Sequence, residues 1–149
     1  MNVKQKKFKS GFTLIELLLV ISIIGVLSAL AVVNYIGVQA RARDAQRKAN
    51  LRQLQAALEL YRADQASYPA GSLPACGQSL VVGNSVYMQK IPCDPRNTGQ
   101  FIYTYTSTGT TYTLVACLEN VDDAQKDATN NNITCSGGTT NWSFTVNNP

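Results

Sequence analysis

The chain has 149 residues, enough for one domain with a modest core and too few for two ordinary ones. It contains no histidine, which excludes Ser-His-Asp and Cys-His catalysis and most zinc sites, and its +4 formal charge is concentrated at one end. Lys4, Lys6, Lys7 and Lys9 all precede Gly11; thirteen basic residues less these four leave nine against nine acidic ones, so the remainder is neutral and no nucleic-acid-seeking surface follows.

After the polar, lysine-rich residues 1–10, no charged residue occurs from Leu17 to Val33. Extended to residues 12–36, this run reaches the roughly 20 apolar residues that a bilayer core requires, and the lysines on its N-terminal side place the leader in the cytoplasm. A cleavable signal peptide would use the same features, with Ala29-Leu30-Ala31 as a cleavage site, and a plain signal anchor would explain the length equally well. Neither accounts for Glu16, an acid at the edge of an apolar span, which calls for a partner.

From Asn34 onward the apolar run gives way to Gln39, Arg41 and the polar residues that follow, but nothing breaks a helix before Pro69. Leu51, Leu54, Leu58 and Tyr61 recur at helical steps and mark a face that packs on something. A helix from Phe12 to about Arg62 would be roughly 75 Å long at 1.5 Å per residue. Arg41, Arg43, Arg47, Lys48 and Arg52 read as a solvated or lipid-phosphate-contacting face, with Asp44 paired to Arg41 and Lys48, in preference to a DNA-binding patch.

Ser67 to Gly71 ends the helix, and a loop follows to about residue 100. Phe101 to Tyr105 and Tyr112 to Ala116 alternate about a turn at 107–110 and predict a β-hairpin, with a third strand over Trp142 to Val146. The aromatic residues on these strands are expected in the core. Cys76, Cys93, Cys117 and Cys135 allow three pairings; sequence order favours Cys76 with Cys93 and Cys117 with Cys135, in an oxidising compartment. Asp122, Asp123 and Asp127, with Asn130 to Asn132, form an oxygen-rich stretch without EF-hand spacing. Asn132-Ile133-Thr134 and Asn141-Trp142-Ser143 fit the N-x-S/T pattern.

Lys9-Ser10-Gly11-Phe12-Thr13-Leu14-Ile15-Glu16-Leu17 resembles the processing signal of type IV prepilins and type II secretion pseudopilins. The Pro92-Cys93-Asp94-Pro95 and Tyr103-Thr104-Tyr105 elements are similar to those of major pseudopilins and related pilins. The resemblance implies cleavage between Gly11 and Phe12 by a prepilin peptidase, N-methylation of Phe12, and retention of the apolar run as anchor and filament core. It also implies that Glu16 pairs with the new amino terminus of a neighbouring subunit, and it makes calcium a candidate ligand of the C-terminal loop. Many relatives carry a proline midway along the helix, whereas here Leu30 to Asn34 has none, which predicts a less kinked helix.

The expected fold is α+β and pilin-like: a leader at 1–11, a membrane or filament-core helix at 12–36, its amphipathic continuation at 37–63, and an extracytoplasmic region at 64–149 in which a small antiparallel sheet covers the helix. The expected role is assembly without catalysis. The chain would be a subunit of a type IV pilus or pilus-like filament, with a type II secretion pseudopilin as the near alternative and a secreted enzyme or binding domain as a distant one. Its partners would be copies of itself in a helical filament, the prepilin peptidase, the inner-membrane assembly machinery and membrane lipid, with nucleic acid only through DNA uptake. It would begin as a single-pass cytoplasmic membrane protein and end in an extracytoplasmic or cell-surface filament.

Overall fold

The computed structural model describes residues 11–128, 135 and 142–149, with the side chains of residues 30–34 and 36 outside that description. The chain divides into two compact units, residues 1–37 and 38–149, and one helix, α1 (Leu14–Gln65), contributes residues to both.

In the first unit α1 starts at a capped N-terminus and is apolar on every side through Leu27. No helix of the described residues is long and apolar enough to cross a membrane, and the stretch expected to do so, 12–36, runs into the undescribed side chains.

The second unit is α+β, as the sequence predicts. Strands β3 (Thr104–Ser107), β4 (Tyr112–Cys117) and β5 (Ser143–Asn147) form an antiparallel sheet in that order, with Tyr105 opposite Leu114 and Leu114 opposite Val146. The central strand β4 is buried on both faces. Tyr112, Leu114 and Ala116 join the core that the helix shares, and Val115 and Cys117, on the other face of the strand, are also buried, with Cys117 bonded to Cys135. Leu51, Leu54 and Leu58 of α1 join Leu114, Ala116, Phe144 and Val146 in one core, each large side chain contributing about 1.5–3 kcal/mol by leaving water.

The structure differs from the sequence expectation at three places. The segment expected as loop up to residue 100 contains a hairpin, β1 (Leu80–Val82) and β2 (Ser85–Met88), turning at Gly83, whose φ of 57° suits glycine. Its run of Val and Tyr is too short to separate from loop, and only Leu80 is buried, while Tyr87 packs at a tilt against Tyr61 with ring centroids 5.0 Å apart. The first strand of the larger sheet begins at Thr104 instead of Phe101, because Phe101 bridges back to Thr98 across Gly99. Trp142 precedes β5, its carbonyl accepting from Leu118 N–H at 2.7 Å. The helix itself ends at Gln65, followed by Ala66 in the left-handed region at φ 59°, its N–H bonded to Arg62 O at 2.8 Å.

Candidate assembly site

Gly11, Phe12 and Thr13 precede α1, and Gly11 and Phe12 are exposed. Thr13 caps the helix: its Oγ1 accepts from Glu16 N–H at 3.3 Å, while Glu16 Oε2 accepts from Thr13 N–H at 2.9 Å and from the Thr13 hydroxyl at 2.7 Å. This reciprocal arrangement satisfies two otherwise unpaired helix-start donors and sets an acid beside the positive end of the helix dipole. In the single chain Glu16 is therefore held by its own N-cap, one residue from the Phe12 nitrogen. The T-x-x-E spacing carried that signal, which the sequence reading passed over in favour of a pairing between chains.

Beyond the cap, the side chains of Leu14, Ile15, Leu17, Leu18, Leu19, Ile21, Ile24, Val26 and Leu27 all stand more than half exposed. A contiguous apolar surface of this size is stable in water only when lipid or another protein surface covers it.

The basic cluster on the second unit's part of α1 behaves differently from expectation. Arg47 is fully buried: its Nε and Nη2 donate to Asp94 at 2.6 and 3.0 Å, and its Nη1 lies 2.7 Å from Asp44 Oδ1 and 2.8 Å from Glu119 Oε1. Asp44 also accepts the backbone N–H groups of Glu119 and Asn120, and Arg43 grips Glu119 at 2.7 and 2.6 Å. Two guanidinium groups lie over the Phe101 ring, Arg47 at 4.7 Å and Arg96 at 4.4 Å from its centroid. Burial alone would lower the Arg47 guanidinium, but its bonds to Asp94, Glu119 and Asp44 outweigh that and hold it above its ordinary value. The hydrogen bond from Arg43, against burial and with help from Arg47, pulls Glu119 down to about 2.

This corrects the solvated or phosphate-contacting face read from the sequence. Of its five members, Arg41 and Arg52 are exposed, whereas Arg43, Arg47 and Lys48 are spent on loops far along the chain. Asp44 pairs with Arg47 at three residues' separation, and Lys48 pairs instead with Asp123. Hydropathy gave no warning, since a buried charge and an exposed one look alike in a pattern; the usable signal was Asp94 in Pro92-Cys93-Asp94-Pro95, which meets Arg47.

The structure pairs Cys76 with Cys93 and Cys117 with Cys135, at Cα separations of 4.9 and 5.1 Å, closing loops 17 and 18 residues apart. In the loop-entropy account each closure restricts the unfolded chain by about 3 kcal/mol. The first fixes the segment carrying Asp94, and the second the segment after Glu119.

The acidic stretch does not fit calcium with its described residues. Asp123 bonds Lys48, and Asp127 is turned to β5, where its N–H donates to Ser143 O and its carboxylate accepts from Thr145 N–H and from the Ser143 and Thr145 hydroxyls. No group of three His, Cys, Asp or Glu side chains among the described residues could hold a metal. Asn130 to Asn132 and Asn141, and with them both N-x-S/T asparagines, lie outside the described residues.

Residues 6–32 match the prokaryotic N-terminal methylation motif, and residues 34–135 match the family described as Type II secretion system (T2SS), protein G. Among similar proteins, the type II secretion system core protein G of Pseudomonas aeruginosa is 32% identical over 102 residues, covering 61% of this chain and 70% of that one. The core protein G of Aeromonas hydrophila is 38% identical over 100 residues, with the same coverage. The type IV major pilin protein PilA of Myxococcus xanthus is 43% identical over 58 residues, 39% of this chain but only 26% of that protein. No solved structure matches the chain. With its methylation motif and its protein G match over the greater part of its length, the chain belongs to the type IV pilin and pseudopilin family, within the type II secretion system protein G group.

Proposed function

We propose that this chain is the filament-forming subunit of a type II secretion pseudopilus, a structural protein and not an enzyme. The observation that carries this reading is the protein G match across residues 34–135, which lies beyond the N-terminal motif at 6–32. Peptidase cleavage between Gly11 and Phe12 leaves a methylated amine on Phe12, and residues 12–36 hold the subunit in the cytoplasmic membrane until assembly. The apolar surface of α1 that is exposed among the described residues then passes from lipid to neighbouring copies of the same helix. Glu16 exchanges its Thr13 bonds for the amine of an adjacent subunit, and low polarity in the filament interior strengthens that pair.

A type IV pilus subunit is the second reading, favoured by the likeness to the Myxococcus pilin. Intact mass of the membrane fraction tests the shared part. The expected product lacks Met1 to Gly11 and carries one added methyl group, whereas a soluble chain beginning after Ala31 would establish a secreted domain instead. Glu16→Ala should be processed normally but fail to polymerise; normal filaments from this variant would remove the proposed role. Deleting the gene separates the two readings, through lost protein export for a pseudopilus and lost surface filaments for a pilus.

A further inference from the structure

The loop after β4 converges on a side chain from a distant element. Lys48 of α1 sends its Nζ to Asp123 Oδ1 at 2.6 Å and to Gln125 Oε1 at 3.1 Å, while Asp123 Oδ1 also accepts Gln125 N–H at 2.8 Å. The same ammonium lies 5.7 Å from the Phe144 ring centroid, over the edge of the core. Both partners of the ion pair are mostly shielded from water, with side chains 18% and 15% exposed. Within the loop, Lys126 Nζ donates to Val121 O, and Asp127 is fastened to β5. The resulting pattern is a carboxylate, an amide oxygen and a turn wrapped around one positive charge that reaches in from the helix.

We propose that the Lys48 ammonium is the organising cation of residues 120–127, so that this loop takes its fold from a tethered lysine and requires no divalent ion. The chemistry is one of substitution. A calcium ion bound to the Asp123 carboxylate would sit 2.3–2.6 Å from its oxygen, where the ammonium already lies at 2.6 Å. A calcium ion placed beside the ammonium would meet its like charge at close range, and the lysine, being part of the chain, is always present. A single charge with three directed donors suits this donor set of one carboxylate and one amide, whereas calcium takes 6–8 oxygens. The assignment concerns loop folding and holds for either filament type.

Cleavage by endoproteinase Lys-C at the Lys126–Asp127 bond of the full chain in detergent micelles, with calcium chloride or with a chelator, reads loop order directly. The wild type should be cut at the same slow rate in both. Lys48→Met, which keeps an apolar stem and removes the charge, should be cut roughly tenfold faster or more in either condition, the factor a charge-assisted hydrogen bond is worth. Asp123→Asn alters only the loop side, should accelerate cleavage in the same direction, and carries the test if Lys48→Met loses helix content. Strong protection of the wild type by calcium would overturn the proposal, as would a folded Lys48→Met chain cut no faster than the wild type in chelator.

Discussion

Replacing Arg47 by methionine tests the ionic cluster that joins α1 to the Asp94 and Glu119 loops. The substitution keeps an apolar stem and removes a guanidinium that is fully buried and satisfies three carboxylates. Asp44 would retain the Glu119 and Asn120 amides, and Glu119 would retain Arg43. Asp94, itself shielded from water, would keep the Arg96 amide at 2.8 Å but lose both short bonds to Arg47. Removing one partner of such a buried pair costs about 3–5 kcal/mol, because the remaining charge stays desolvated. At roughly 4–8 °C per kcal/mol for a domain near 100 residues, the melting temperature should fall by more than about 10 °C, followed by circular dichroism of the full chain in detergent. Arg47→Lys should fall between, since an ammonium cannot grip Asp94 with two parallel bonds. A variant that melts within a few degrees of the wild type would refute the claim that this cluster holds loops to helix.

Glu119 sets the acid limit of the fold. Its carboxyl lies at about 2 when folded against an ordinary 4.5, so the unfolded chain binds the proton first; the stabilisation is complete above about pH 4.5 and disappears as pH falls toward 2. Denaturant titrations from pH 2 to 7 should show that slope, and Glu119→Gln should flatten it; an unchanged slope would contradict the assignment. Asp127→Ala removes the bonds that occupy the edge of β5, so stability should drop by roughly 1.5–3 kcal/mol with faster hydrogen exchange at the Thr145 amide, and slow exchange there would show that the edge is capped otherwise. Ala66→Gly relieves a left-handed alanine after the helix and should stabilise by about 0.5–1 kcal/mol in a thermal melt; a lower melting point would mean that the alanine methyl contributes more than its strain removes.

The N-terminal features were legible because each is local. A basic leader ending in glycine and an unbroken apolar run are statements about neighbours in sequence, and the helix they predict begins at Leu14; the T-x-x-E cap is equally local, but its Glu16 was assigned to a neighbouring chain. The apolar half of the packing face was equally legible, since Leu51, Leu54 and Leu58 repeat with the helical period and all three are buried. The strands of the larger sheet followed from alternation, with β4 found as Tyr112–Cys117 and β5 as Ser143–Asn147. The hairpin at 80–88 was not legible, since its three valines are exposed and the residues that meet the core, Leu80, Tyr87 and Met88, do not alternate along either strand.

What tertiary structure alone decided is the fate of the charges. The buried stripe of α1 does not start at Leu51 but continues back through Arg47 to Asp44, at the same three- and four-residue steps. A sequence records that these residues are charged but not whether an opposite charge waits 47 positions away, as Asp94 does for Arg47, and that distant partner determines whether burial is ruinous or stabilising. The same holds for Lys48 and Asp123, separated by 75 residues and 2.6 Å apart, which became a single structural unit only when the chain closed around them.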